Sequence, residues 1–169
     1  EYPGSIYYYF QLSLLRLKNS GVVLCLVTKN NESDIDEIFQ TRDMPLSIDD
    51  FVAVKANWDP KSENIGALLD WLNVDSSSAI FIDDNPFEIE EVGRVHFDIE
   101  CLKFSVNEFN DVNNVLSDLF DLYAHYLTDE DKVKAASYFE EGHRKILLDK
   151  SGTIDDYLRS LAIKMTVYL

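Results

Sequence analysis

Thr28, Lys61 and the adjacent pair Asp83-Asp84 are the residues of this 169-residue chain whose types and places could do chemistry. The pair sits in the string Ala79-Ile80-Phe81-Ile82-Asp83-Asp84-Asn85-Pro86, where an apolar run reads as a short buried strand and Asn-Pro ends it. Two close carboxylates repel each other unless something positive lies between them, and a metal ion or a lysine is the usual solution. Side chains alternate along a strand, so the two aspartates take different directions. The expected assignment places Asp84 on a metal and Asp83 on Lys61. A hard oxygen site of this kind suits Mg²⁺.

Thr28 ends an apolar run in Leu26-Val27-Thr28-Lys29-Asn30-Asn31. A hydroxyl there can donate to a phosphoryl oxygen, helped by backbone N–H groups of the following turn. Taken alone the signal is weak, because a Thr at a strand end is more often a cap or turn residue. Lys61 falls in the first turn of an expected helix, where the helix dipole disfavours a cation. A nearby carboxylate or phosphate removes that conflict; the plain alternative is a solvated surface lysine. For Asp83-Asp84 the plain alternative is helix capping plus a turn.

The elements that must hold these residues alternate. Residues 5–19 read as a helix, with Ile6, Phe10, Leu14 and Leu17 at helical spacing and Gly21 as its stop. Residues 22–27 read as a strand buried on both faces. Residues 33–39 read as a short helix with Ser33 and Asp36 in a capping-box pattern. A strand over 51–54 follows, then a helix with Asp59 as N-cap and Pro60 in its first turn, burying Ile65, Leu68, Leu69 and Leu72. Strand 79–82, helix 86–93 and a marginal strand 99–104 complete the alternation. It predicts an α/β fold with a parallel, doubly wound sheet, all strand carboxyl ends lying on one edge. Ligands bind at such an edge.

Beyond residue 107 the pattern is helical, over 111–126, 128–148 and 153–161, with a final strand-like stretch 163–169. The expected division is a core over 1–120 and a helical extension over 121–169.

Bulk properties narrow the function. The chain carries 31 acidic and 15 basic residues, a formal charge of −16. That balance argues against nucleic acid as the main partner, because phosphate backbones need clustered Lys and Arg. No apolar run is long enough to span a bilayer, and no signal peptide opens the chain. Cys25 and Cys101 have no paired spacing and read as reduced, buried thiols of a cytoplasmic protein. His96, His125 and His143 lack ligand spacing. Tyr7, Tyr8 and Tyr9 cannot share one helical face, so at least one is exposed or meets a partner. Trp58 and Trp71 read as packing residues, Trp58 beside the site.

The order hydroxyl, lysine, carboxylate pair resembles the second, third and fourth motifs of the haloacid dehalogenase (HAD) phosphatase superfamily. Residues 26–31, 50–65 and 81–92 look like its capless FkbH-like branch, above all Asn57-Trp58-Asp59-Pro60-Lys61-Ser62-Glu63-Asn64-Ile65 with Ile82-Asp83-Asp84-Asn85-Pro86. Tyr2-Pro3-Gly4, Phe10-Gln11 and Asp156-Tyr157-Leu158-Arg159-Ser160-Leu161 also look like it.

The resemblance implies a Rossmannoid three-layer sandwich and Mg²⁺-dependent phosphoryl chemistry, in which an aspartate attacks phosphorus and forms an aspartyl-phosphate. It implies Thr28 and Lys61 as catalytic residues, Thr28, Lys29, Asn30 and Asn57 as substrate-binding residues, and Asp84 on Mg²⁺ with Asp83 in support. It also implies a phosphorylated small-molecule substrate such as a phosphorylated glycerate or an acyl phosphate, with an acyl carrier protein as partner. An acetyltransferase-like domain is the expected neighbour of residues 155–169.

The family's first motif, an apolar strand ending in Asp-x-Asp that carries the nucleophile, is not matched. Asp34-Ile35-Asp36 falls on an expected helix after the Thr28 strand, which is the wrong element and the wrong order. The expectation is that the motif strand precedes Glu1, since a sheet without its central strand exposes apolar edges. The competing reading is a non-catalytic scaffold that binds a carrier protein or a neighbouring domain.

Overall fold

A computed structural model describes residues 3–104 and 128–150, and Ser117 between them. Helix α1 (Pro3–Ser20) leads into strand β1 (Cys25–Thr28), helix α2 (Glu32–Thr41), a 3-10 turn at Ile48–Asp50 and strand β2 (Ala53–Ala56). Helix α3 (Lys61–Leu72), strand β3 (Ile80–Asp83), helix α4 (Pro86–Val95) and strand β4 (Glu100–Lys103) continue the alternation, and α5 (Asp129–Lys150) follows. The helix expected over 111–126 and the elements expected beyond 150 lie outside the described residues.

The strands are parallel, as the alternation predicts, but they form two pairs: β1 with β2, and β3 with β4. Cys25 lies opposite Ala53, and Ile80 opposite Glu100. Alternation along β3 sorts its side chains between two layers. Ile80 and Ile82 pack with Leu17 of α1 and with Phe104, while Phe81 packs with Ile65 of α3 and Val92 of α4. Phe10 stacks on Phe104 with ring centroids 4.2 Å apart. Helices therefore cover both faces of the strands.

Each of the four strands keeps one edge with no partner strand among the described residues, and β1 and β3 both line an apolar cleft of about 790 Å³. Leu24, Leu26, Ile80 and Ile82 are among its walls, with Leu17 and Leu68 from α1 and α3. No described residue supplies a strand there.

Several boundaries differ from the sequence reading. Val22–Leu24 lie outside the ladder, because β2 begins opposite Cys25. Helix α2 starts after Asn31, and Ser33 bonds to Asp34 instead of making the capping box expected with Asp36. Helix α3 is flanked by Pro60 with no side-chain cap of its own, so Asp59 is not the N-cap.

Helix α5 packs onto the core at Gly142. A Cβ there would stand 2.7 Å from Val52 Cγ1 and 3.1 Å from Trp71, so only glycine permits this approach. Lys145 donates to the Trp71 carbonyl at 2.6 Å.

Candidate active site

The ends of β1, β2 and β3 converge on one edge. The Asn57 N–H donates to the Thr28 carbonyl at 3.2 Å, continuing the β1–β2 pairing past the strand ends. Lys29, just after β1, meets Glu88 in the first turn of α4 at 2.6 Å. Lys61, at the start of α3, meets Asp83 Oδ2 at 2.5 Å. These contacts bring Thr28, Lys61 and the Asp83-Asp84 turn to one edge of the strands.

Asp83 and Asp84 differ sharply. Asp83 has a nearly buried side chain, 7% exposed, and both oxygens are used: Oδ2 accepts from Lys61, and Oδ1 accepts from the Asn85 N–H at 2.9 Å. Asp84 is exposed and has no hydrogen bond or ion pair among the described residues. A free carboxylate at a strand end is the group a hard cation could use, and Mg²⁺ needs only one or two beside waters and phosphate oxygens. No group of three His, Cys, Asp or Glu side chains positioned to hold a metal occurs among the described residues.

The conflict of a cation at a helix start is resolved by two carboxylates. Lys61 opens α3 beside Asp83, and Glu91 of α4 receives both the N–H and the hydroxyl of Ser62. His96 reaches the Ser62 carbonyl at 2.8 Å. Helix α4 thus grips Ser62 at three points and supplies from outside the cap that α3 lacks. A carboxylate at a helix N-terminus also complements its dipole. Helix α4 has its own cap, Asn85, whose side chain accepts from the Phe87 N–H, with Pro86 in the first turn.

Thr28 is half-buried and its hydroxyl has no partner among the described residues. The Asn30 side chain accepts from the Asn31 N–H. Asn57 turns inward: its amide exchanges two hydrogen bonds with Asn64, at 3.0 and 2.7 Å, and its oxygen also accepts from the Asp59 N–H. It shapes the β2–α3 loop.

Trp58 is not a packing residue. It is 69% exposed, and its indole N–H donates to Asn31 at 3.1 Å, tying the β2–α3 loop to the start of α2. Trp71 does pack, against Gly142 and under the Lys145 ammonium. Tyr7, Tyr8 and Tyr9 are all exposed. Asp34 and Asp36 both lie exposed on α2. Cys25 and Cys101 are half-buried, less than expected. Burial pushes the Cys25 thiol up to about 11 despite a hydrogen bond from Ala53, and burial with the Glu100 charge raises Cys101. Neither is a ready nucleophile.

Sequence reasoning missed Glu88 and Glu91. Asn85 and Glu88 have only the spacing of a capping box, a local role, and nothing local marks Glu91.

No family model matches the chain, and no curated protein matches it. A solved structure does: the N-terminal part of the protein BF1531 from Bacteroides fragilis, containing a phosphatase domain and complexed with Mg. The two are 31% identical over 73% of this chain, with a TM-score of 0.64. The chain has a HAD-like phosphatase fold. It spans about a third (32%) of the solved chain it matches. No helix among the described residues is long and apolar enough to cross a membrane.

Proposed function

We propose that this HAD-like domain belongs to an Mg²⁺-dependent phosphatase or phosphotransferase. The observation that carries the reading is the edge itself: Lys61 neutralises Asp83, while the Asp84 carboxylate and Thr28 hydroxyl stay open beside it. Asp84 would hold Mg²⁺, which when bound supplies positive charge against phosphoryl oxygens. Thr28, Lys29 and the N–H groups opening α2 would orient the phosphoryl group. Lys61 would balance charge on the attacking carboxylate and on the intermediate. Asn30 and Asn57 would set the shape of the substrate-facing loops.

The attacking carboxylate is not among the described residues at this edge. The apolar cleft between β1 and β3 is the place for a strand that delivers it, pairing with both. Attack on phosphorus breaks the bond to the leaving oxygen, which takes up a proton. Water then releases phosphate from the aspartyl-phosphate.

The narrower reading is the FkbH-like branch, acting on a phosphorylated glycerate or acyl phosphate with an acyl carrier protein. The test is phosphate release by the full-length protein from phosphoglycerates and acyl phosphates with Mg²⁺. Activity abolished by Asp84→Asn and by Lys61→Ala is expected, and unchanged activity in both variants overturns the reading.

A second reading is a non-catalytic scaffold that binds a carrier protein or a neighbouring domain. An Mg²⁺ titration of the full-length protein separates the two, because a scaffold binds none.

A further inference from the structure

Glu88 is a carboxylate without a local purpose. Three residues after the N-cap Asn85, it stands where a capping-box glutamate would reach back to the N-cap N–H. That N–H is taken by Asp83 Oδ1 at 2.9 Å. Glu88 turns instead to Lys29, 59 positions away, at 2.6 Å. Its side chain is 8% exposed, and its Oε2 is buried with no hydrogen-bond partner among the described residues. A half-satisfied buried carboxylate is costly to keep unless its cation stays in place.

Lys29 is the more exposed member of this pair, at 34%. Its ammonium has three N–H donors, and Glu88 uses one. Lys61 is committed to Asp83 and is only 13% exposed, so Lys29 is the more accessible cation beside Thr28. If Lys29 swung away to meet an anion, it would leave Glu88 buried and unpaired.

We propose that Glu88 is a positioning residue that fixes the Lys29 ammonium at this strand edge, so that its remaining N–H groups meet a phosphoryl group held at Thr28. The inference rests on the phosphoryl-transfer reading. Lys29 stays on Glu88 when the anion arrives and serves both at once. It contributes uniform binding to bound substrate and transition state alike, so its loss raises KM more than it lowers kcat.

The test uses the full-length protein with Mg²⁺, p-nitrophenyl phosphate as substrate and inorganic phosphate as ligand. Glu88→Gln keeps the shape and an acceptor oxygen but removes the charge; Lys29→Met removes the cation. Each is expected to raise KM about tenfold with kcat changed far less, and the double variant to be no worse than either alone. A second readout needs no turnover: inorganic phosphate shifts the Lys29 ammonium NMR signal in the unmodified protein, and Glu88→Gln loses that signal's protection from exchange. Unchanged KM in Glu88→Gln, or losses that add in the double variant, overturns the proposal while the phosphatase reading stands. A protein that neither turns over substrate nor shifts with phosphate ends both.

Discussion

Lys61 Nζ and Asp83 Oδ2 lie 2.5 Å apart with both side chains largely buried, 13% and 7% exposed. Lys61 also sits 6.0 Å from the centre of the Phe81 ring. A buried pair contributes little net stability when intact, because desolvation offsets attraction, but losing one partner strands a charge. Lys61→Met should therefore cost about 3–5 kcal/mol. Lys61→Met combined with Asp83→Asn should recover much of that loss, since no charge is then left unpaired. Urea denaturation of the two variants checks it, and equal losses would show that the pair is not coupled.

The neighbouring carboxylate should behave in the opposite way. Asp84 is exposed and has no described partner, so Asp84→Asn should leave stability within about 0.5 kcal/mol. The same change should remove phosphatase activity, and with it the Mg²⁺ dependence of the thermal midpoint that ligand linkage requires. Thermal melts with and without Mg²⁺ separate the two effects. A large loss of stability without metal would mean that Asp84 holds the fold.

Lys18 and Asp50 make a second pair, at 2.5 Å, joining the end of α1 to the turn before β2. Burial alone would raise the Asp50 carboxyl. The Lys18 ammonium and the Ser47 N–H and hydroxyl outweigh it, so Asp50 lies below its ordinary value of 3.8. The folded state thus holds Asp50 ionised at pH values where the unfolded chain protonates it. This contribution is complete above the unfolded value and fades as pH falls from about 3.8 through the lower folded value. Asp50→Asn should be less stable than the parent at pH 7 and converge with it towards pH 3. Chemical denaturation across that range reads the difference; a constant gap would remove Asp50 from the acid response.

Much of this arrangement is written in local patterns. The apolar runs before Thr28 and Asp83 mark strands, although β1 is only half-buried, and the carboxylate pair after the second marks charge at a strand end. Pro86 and Asn85 announce α4. Other features depend on partners distant in sequence. Glu88 meets Lys29 across 59 positions, and Glu91 meets Ser62 across 29. No spacing rule reaches that far. Ladder limits also escaped, because a strand ends where its neighbour does: Val22 and Val23 are as apolar as Val27 but have no partner in β2. Trp58 misled for a related reason. Its size favours burial, yet the tie to Asn31 holds it at the surface.

The borrowed cap on α3 gives the last expectation. Pro60 has no N–H and makes no side-chain cap, so the first turn of α3 depends on Glu91, which takes the Ser62 N–H at 3.3 Å and its hydroxyl as well. Losing a cap of this kind costs about 1 kcal/mol. Glu91→Ala should cost that much, and Ser62→Ala should not add its full cost on top, because the two act through one contact. Glu91→Ala should also loosen the helix start that aims Lys61 at Asp83, so hydrogen exchange should quicken at the amides following Ser62 while those of Leu68 and Leu69 hold. Equal acceleration along the whole helix would mean that Glu91 supports α3 by packing and not by capping its start.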